Sequence, residues 1–246
     1  MKILVIGDSC TDIFIYGDIH RIAPEAPVPI IKPLHTKKNL GMASNVAANL
    51  KALGADVDII TNKNHIKKIR YVDDRYNQMV LRVDENDKCD RIKDFAFLHD
   101  LEDGLYDAVI ISDYCKGFLS EKDINYIAMY HNTVFLDTKK YLGEWCDNIS
   151  FIKINNSEHM KNFDDIPKYS GLHDKLIITQ GSKGCLYKDK IYPTQEVPVK
   201  DVSGAGDTFI AGLVYEYVKS KDISNAIDFA QKCTTIVVQK TGVATI

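Results

Sequence analysis

Short runs of apolar, often β-branched residues alternate along the chain with segments whose apolar positions recur at helical spacing. The first run, residues 2–8 (KILVIGD), is almost continuously apolar and ends in Gly-Asp, as a buried strand does. Residues 43–54 (ASNVAANLKALG) follow as a helix that ends at its glycine. The same patterns predict strands at 56–60, 107–113, 133–138, 151–155 and 175–179, and helices at 120–130 and 227–240. This alternation predicts an α/β protein whose mainly parallel central sheet carries helices on both faces.

Two regions interrupt the alternation. Residues 13–34 hold two strand-like runs around a proline-rich connector, and residues 67–85 hold two more, joined by a short polar turn. We expect these runs to form a small β-sheet lid over one edge of the main sheet. Because edge strands expose unpaired backbone groups, the lid is also a candidate surface for a homodimer. No repeat or linker marks a second unit, so residues 1–246 are expected to form a single domain.

Composition narrows the class of protein. Lys and Arg number 31 against 34 Asp and Glu, a net charge of -3, which favours neither nucleic acid nor an anionic membrane as partner. The N-terminal apolar run is shorter than a secretory signal, and no apolar stretch has the length of a membrane span. The six cysteines are scattered without a C-x-x-C pair, which predicts reduced thiols. Together these features predict a cytoplasmic protein.

A glycine-rich turn runs directly into a helix within residues 201–219. In it, Gly204, Ala205 and Gly206 precede Asp207. The glycines allow backbone N–H groups to approach a ligand closely, and the start of a helix favours an anion. A carboxylate beside an oxyanion is unfavourable unless it has a task, such as accepting a proton from an attacking hydroxyl. Taken alone, this pattern is more often a tight turn whose Asp caps the helix, so its interpretation depends on the rest of the chain.

Four motifs spread over the chain supply that context. They are LGMASNVAANLKALGA (40–55), KINNSE (153–158), TQGSKG (179–184) and DVSGAGDTF (201–209). In this order they resemble the signatures of the ribokinase-like (phosphofructokinase B) family of carbohydrate kinases. The resemblance implies a ribokinase-like fold and ATP-dependent transfer of a phosphoryl group to a sugar hydroxyl. It also implies ATP and Mg²⁺ as cofactors, with a monovalent cation as a further candidate.

Four longer strings point to one branch of that family. They are RIAPEAPVPI (21–30), NQMVLRVDEND (77–87), ISDYCKGFL (111–119) and FLDTKK (135–140). They resemble the heptose 7-phosphate kinases, including the kinase half of bifunctional ADP-heptose synthases. The resemblance implies D-glycero-D-manno-heptose 7-phosphate as the substrate and its 1-hydroxyl as the acceptor. Two alternatives stay open: a kinase for another sugar or sugar phosphate, and an inactive protein that binds a sugar or a nucleotide.

The resemblance also implies roles for individual residues. Asp207 would be the catalytic base, and the backbone amides of Gly204, Ala205 and Gly206 would hold the transferring phosphoryl group. The other implied contacts are to the sugar by Asp12, Gly41 and Asn45, to the nucleotide by Asn155, Thr179, Gly181 and Gly184, and to Mg²⁺ by Asn155 and Glu158. Three basic residues are candidates for neutralising a substrate phosphate: Arg82, Lys116 and Lys139. Lys and Arg suit a phosphate physically, although a single basic residue is as often a solvated surface charge.

Three departures from the family pattern bear on substrate choice. The stretch between residues 61 and 67 is very short where heptose-type kinases carry a further helix and strand, so one element is expected to be missing. Met42 replaces the glycine usually found beside Gly41, which removes backbone freedom near the sugar. Gln231 replaces an Asn common near the adenine. None of the three affects Asp207 or the glycine turn.

Overall fold

Two β-sheets and seven α-helices build the structure, a computed structural model that describes residues 1–246. The strands are β1 (Lys2–Gly7), β2 (Ser9–Ile22), β3 (Pro29–Met42), β4 (Asp56–Thr61), β5 (Ile66–Asp73), β6 (Gln78–Glu85), β7 (Ala108–Asp113), β8 (Val134–Thr138), β9 (Phe151–Asn155), β10 (Leu176–Thr179), β11 (Cys185–Tyr187) and β12 (Lys190–Tyr192). The helices are α1 (Ala43–Ala52), α2 (Leu98–Glu102), α3 (Glu121–Ala128), α4 (Asn156–Asn162), α5 (Leu172–Lys175), α6 (Ala205–Ser220) and α7 (Ile223–Val237). No helix combines the length and the apolar character needed to cross a membrane.

The main sheet has eight strands in the order β12-β11-β10-β9-β8-β7-β1-β4. The six strands from β4 to β10 in that order are parallel, and β11 and β12 add an antiparallel edge. One face packs against α1, α6 and α7, and the other against α2 and α3. Strands covered on both sides need apolar residues at every position, which is why β1 and β7 are continuous hydrophobic runs. The predicted α/β architecture is confirmed.

The second sheet is the lid, with four strands in the order β3-β2-β5-β6. Strand β2 pairs with β3 and β5 pairs with β6 in antiparallel hairpins, and β2 and β5 run parallel. The predicted separate small sheet is therefore confirmed, but β2 and β3 are longer than the predicted runs, at 14 residues each. Residues 35–38 of β3 are polar and exposed, so they carry no hydrophobic strand signal and owe their conformation to pairing with β2.

Helix starts differ from the sequence prediction where a side chain caps them. Helix α7 begins at Ile223 instead of residue 227, because the carboxylate of Asp222 accepts the backbone N–H groups of Ser224 at 2.7 Å and Asn225 at 3.2 Å. Helix α6 begins directly after Gly204, whose φ of 78° lies in the left-handed region that glycine adopts without strain. That start places Asp207 in the first turn of a 16-residue helix.

The short connection after β4 leads straight into the lid. Residues 62–65 join β4, the edge strand of the main sheet, to lid strand β5. On this edge, 37% of Ile59 is exposed. The loss of a helix and strand at this point stays a prediction. Such an element would cover the free edge of β4.

Candidate active site

The predicted site residues come from both sheets and meet where the lid faces the carboxyl ends of the parallel strands. Asp12 lies on lid strand β2, Asn45 on α1 and Asp207 on α6. The side chain of Asn45 donates a hydrogen bond to Asp207 at 2.9 Å across 162 residues of sequence. The fold therefore brings a predicted sugar contact directly against the predicted base.

Asp207 is buried, with 3% of its surface exposed. One carboxylate oxygen accepts the hydrogen bond from Asn45, and the other accepts the hydroxyl of Tyr114 at 2.5 Å. Burial raises the pKa of Asp207 to about 6, against the two hydrogen bonds, which favour the ionised form. A carboxylate with that pKa is mostly ionised at neutral pH and binds a proton more tightly than an ordinary Asp, as a general base requires.

The glycine turn before Asp207 presents free backbone donors. The amides of Gly204, Gly206 and Asp207 donate to no protein acceptor, whereas the amide of Ala205 donates to the carbonyl of Val202 at 3.2 Å. The predicted anion contacts at Gly204 and Gly206 thus have available N–H groups, and the structure offers Asp207 in place of Ala205 as the third. These donors lie at the start of a long helix, where the dipole also favours an anion.

Gly206 has a further reason to lack a side chain. A Cβ at this position would lie 2.9 Å from the ammonium nitrogen of Lys153. Lys153 lies on β9 with 6% of its surface exposed and forms an ion pair with Asp137 on β8, at 2.8 Å. A buried cation therefore lies directly beneath the turn that carries the free amides.

On the lid side, Asp12 is held in a fixed position. Its carboxylate accepts a hydrogen bond from the guanidinium of Arg70 on the neighbouring strand β5. A Cβ at Gly41 would lie 2.1 Å from an oxygen of Asp12, so only glycine fits against this carboxylate. Met42 follows with φ 59° and ψ -135°, a conformation that residues with a Cβ rarely adopt. Met42 thus replaces the glycine of the family pattern at a position whose backbone conformation favours glycine.

All three cations that the resemblance assigns to a substrate phosphate have acidic partners. The pairs are Arg82 with Asp84 at 2.7 Å, Lys116 with Asp87 at 2.5 Å, and Lys139 with Glu158 at 2.7 Å. The side chain of Lys139 is about two-fifths exposed, so its ion pair is weak in water, whereas Arg82 bonds to both carboxylate oxygens of Asp84. Their contact with a substrate phosphate stays a prediction.

The predicted nucleotide contacts surround one cavity. A cavity of about 130 Å³ is lined by Thr179, Gly181 and Gly184 on one side and by Ala205 and Gly206 on the other. It therefore opens directly onto the glycine turn. The predicted adenine-side substitution also lies on its wall: Gln231 lines the cavity and donates to the carbonyl of Pro193 at 3.2 Å.

Asn155 and Glu158 serve each other at the start of α4. The side chain of Asn155 accepts the backbone N–H of Glu158 at 2.9 Å, and Glu158 accepts the backbone N–H of Asn155 at 2.8 Å. Burial tends to raise the pKa of Glu158, but that N–H and the Lys139 ammonium hold it below its usual value. Asn155 does not line the cavity of Thr179.

The fit of a magnesium ion follows from the donors present. No group of three or more His, Cys, Asp or Glu side chains is arranged to hold a metal. Mg²⁺ commonly binds through one or two carboxylates together with substrate phosphates and water. Glu158, with Asn155 beside it, fits such a site as a single protein carboxylate, and phosphate oxygens and water would supply the remaining ligands.

Sequence reasoning missed three residues at this site. Tyr114 bonds to Asp207, and two ammonium groups lie close to its ring, those of Lys68 at 5.0 Å and Lys139 at 4.9 Å from the ring centroid. Lys68 and Lys153 were the other two. Tyr114 and Lys153 lie within quoted motifs (ISDYCKGFL and KINNSE), and Lys68 alternates with Arg70 on a predicted lid strand. Their positions were visible, but their burial and partners were not.

Comparison with sequence families and curated proteins gives two results. A family model described as "pfkB family carbohydrate kinase" matches residues 142–246. The bifunctional protein HldE of Helicobacter acinonychis is 32% identical over 298 residues, covering 99% of this chain and 64% of that protein. HldE of Nitratiruptor sp. is 31% identical over 297 residues, covering 99% of this chain and 63% of that protein. The chain thus spans less than two thirds of the length of these relatives.

Solved structures share the fold at low sequence identity. Ribokinase from Thermotoga maritima matches with a TM-score of 0.72 and 17% identity, covering 98% of this chain and 94% of that one. Phosphofructokinase-2 from Escherichia coli, in complex with potassium, gives a TM-score of 0.72 and 13% identity over the same shares. The expected ribokinase-like fold is confirmed.

Proposed function

The chain belongs to the PfkB family of carbohydrate kinases, and on that premise we propose that it transfers the γ-phosphoryl group of ATP to a hydroxyl of a sugar phosphate. The acceptor we propose is D-glycero-D-manno-heptose 7-phosphate, at its 1-hydroxyl. Support for this acceptor comes from the strings shared with heptose kinases and from the HldE relatives, which match nearly the whole chain.

The observation that carries the proposal is the position of Asp207. Its carboxylate is buried in the first helical turn, beside three free backbone amides and next to the cavity lined by Thr179. In the reaction, Asp207 accepts the proton of the acceptor hydroxyl as its oxygen bonds to the γ-phosphorus. The bond from that phosphorus to the bridging oxygen breaks, and ADP leaves with the electron pair.

The chain's own groups position and neutralise the migrating phosphoryl group. Backbone donors aimed at developing charge in a site shielded from water account for much of the catalysis in phosphoryl transfer. The amides of Gly204, Gly206 and Asp207 supply them here. Bound Mg²⁺ would neutralise nucleotide phosphate charge, and Glu158 and Asn155 are the residues that would hold it. A monovalent cation is a further candidate cofactor, and a comparison of activity in K⁺ and in choline salts tests it.

The substitution Asp207→Asn tests the role of the base. General base catalysis contributes ~10²- to 10⁴-fold, so we expect turnover to fall by that factor while ATP affinity, measured by calorimetry, changes little. Asp228→Asn, at an exposed position on the neighbouring helix α7, is the matched control and should retain full turnover. Near-normal turnover in Asp207→Asn would contradict the assignment.

A panel of sugars and sugar phosphates tests the acceptor. Turnover on heptose 7-phosphate supports the proposed substrate. Turnover on another compound alone would identify a different sugar kinase. ATP binding without transfer to any acceptor would identify a binding protein and refute the proposed activity.

A further inference from the structure

Lys68 lies buried on the inner face of the lid and has no acidic partner. Alternate residues of three adjacent lid strands point to this face, and the strand register aligns Lys68 with Asp12 on one side and Asp84 on the other. Those two carboxylates are bonded to arginines instead: Asp12 to Arg70, and Asp84 to Arg82 through two hydrogen bonds of 2.7 Å. Among these residues of β2, β5 and β6, one positive charge is therefore in excess, and it is on Lys68.

The environment of Lys68 is unfavourable for an unpaired ammonium group. Only 9% of the residue is exposed, and its ammonium group makes no ion pair and donates no hydrogen bond. Burial lowers the pKa of Lys68, and the positive charges of Arg82 and Lys116 lower it further, against the attraction of Cys10 and Asp12. An ammonium group on a largely buried side chain, with no protein acceptor, is stabilised by any anion that reaches it.

The position of Lys68 relative to the base also matters. Its ammonium lies 5.0 Å from the ring centroid of Tyr114, and the hydroxyl of that ring bonds to Asp207. Lys68 is therefore separated from the base by about the length of one aromatic side chain. Lys116 follows Tyr114 by two residues in the same loop, so two cations of the phosphate-binding prediction, Arg82 and Lys116, lie near Lys68.

We infer that Lys68 binds the phosphate group that the acceptor already carries, with Arg82 and Lys116 beside it, and that this contact makes the enzyme select sugar phosphates over free sugars. The inference rests on the proposed function and assigns its specificity to a residue outside the family motifs. A phosphate supplies both the negative charge and the hydrogen-bond acceptors that Lys68 lacks. The competing explanation is that Lys68 only covers the ring of Tyr114 through a cation–π contact.

The test compares Lys68→Met with wild type on pairs of acceptors. The pairs are heptose 7-phosphate and heptose, fructose 6-phosphate and fructose, and ribose 5-phosphate and ribose. Methionine keeps the apolar stem but removes the charge, so kcat/KM for the phosphorylated member should fall about 10- to 100-fold. The value for the free sugar and the KM for ATP should not change. Lys68→Arg should recover part of the loss, and Lys67→Met, which alters the adjacent lysine paired with Glu85, should have no effect.

The outcomes separate this inference from the proposed substrate. An equal loss on phosphorylated and free sugars would show a structural role and overturn the inference. Selective loss on fructose 6-phosphate or ribose 5-phosphate, without turnover of heptose 7-phosphate, would support Lys68 and refute the proposed substrate. If no acceptor is phosphorylated, the proposed function fails, and inorganic phosphate becomes the probe with ADP filling the nucleotide cavity. Weaker phosphate binding in Lys68→Met than in wild type would then support the inference, and equal binding would overturn it.

Discussion

The hydrogen bond from Tyr114 to Asp207 allows a direct test of the base through Tyr114→Phe. The phenol donates to the carboxylate at 2.5 Å and thereby favours its ionised form. Burial acts in the opposite direction, and the pKa of Asp207 is about 6. In Tyr114→Phe this donor is absent, so the rise in the pKa of Asp207 caused by burial is less opposed. The carboxylate should then hold its proton to higher pH.

The size of the effect follows from the energy of the bond. A hydrogen bond to a charged group contributes ~1.5–3 kcal/mol, and a tenfold change in proton affinity corresponds to ~1.4 kcal/mol. The acid limb of kcat/KM, which reports the free enzyme, should therefore move from near pH 6 in wild type to about pH 7–8 in Tyr114→Phe. At pH 9 the two enzymes should differ only by effects unrelated to this protonation.

The assay is the initial rate of ADP formation at low acceptor concentration. Measurements between pH 5 and 9 cover the expected acid limbs of both wild type and Tyr114→Phe. Tyr76→Phe, at a tyrosine that is 67% exposed, is the matched control and should leave the profile unchanged. Thermal unfolding checks that the Tyr114 variant is folded. An acid limb that stays in place or moves to lower pH would refute the claim that Tyr114 supports the ionised base.

Two further predictions concern the lid. Gly41→Ala places a Cβ 2.1 Å from an oxygen of Asp12, so Asp12 must move. We expect steady-state kinetics to show a rise of at least ~10-fold in KM for the acceptor, with KM for ATP unchanged. An acceptor KM equal to that of wild type would contradict this steric argument. Leu81 and Val83, which are 54% and 37% exposed, alternate along β6 with the inward-facing Arg82, so they form an apolar outer face suited to a homodimer. Light scattering should show a dimer for wild type and a monomer for Leu81→Glu, and a wild-type monomer would refute self-association through the lid.

The elements of the main sheet could be predicted because burial on both faces demands a continuous apolar run. Strand β7 was predicted at residues 107–113 and lies at Ala108–Asp113. The lid was harder to delimit, since its strands face solvent on one side. The polar part of β3 is extended only because β2 lies beside it, and no property of those residues alone indicates a strand.

The local structure of the candidate site could be predicted where a motif restricts the residue type: the glycine turn runs directly into a helix, with Asp207 in its first turn. The acidic partner of each basic residue was not predictable, because ion pairs form between residues distant in sequence. Lys116 and Lys68 look equivalent as basic residues, yet the first has Asp87 at 2.5 Å and the second has no carboxylate partner. The two carboxylates beside Lys68, those of Asp12 and Asp84, bond to arginines instead. This pairing depends on the strand register, which is a property of the folded lid.

Asp8 connects the start of the lid, the start of α1 and the loop that carries Tyr114. Its carboxylate accepts the backbone N–H groups of Tyr114 at 2.7 Å and Phe118 at 3.2 Å, and its carbonyl accepts the N–H of Ala43 at 3.0 Å. The chain enters the lid immediately after Asp8 and leaves it immediately before Ala43. Both ends of the β2–β3 hairpin and the loop that carries the phenol of Tyr114 thus meet at one residue. A tilt of the β2–β3 hairpin about Asp8 would therefore move the backbone of Tyr114, whose hydroxyl donates to Asp207.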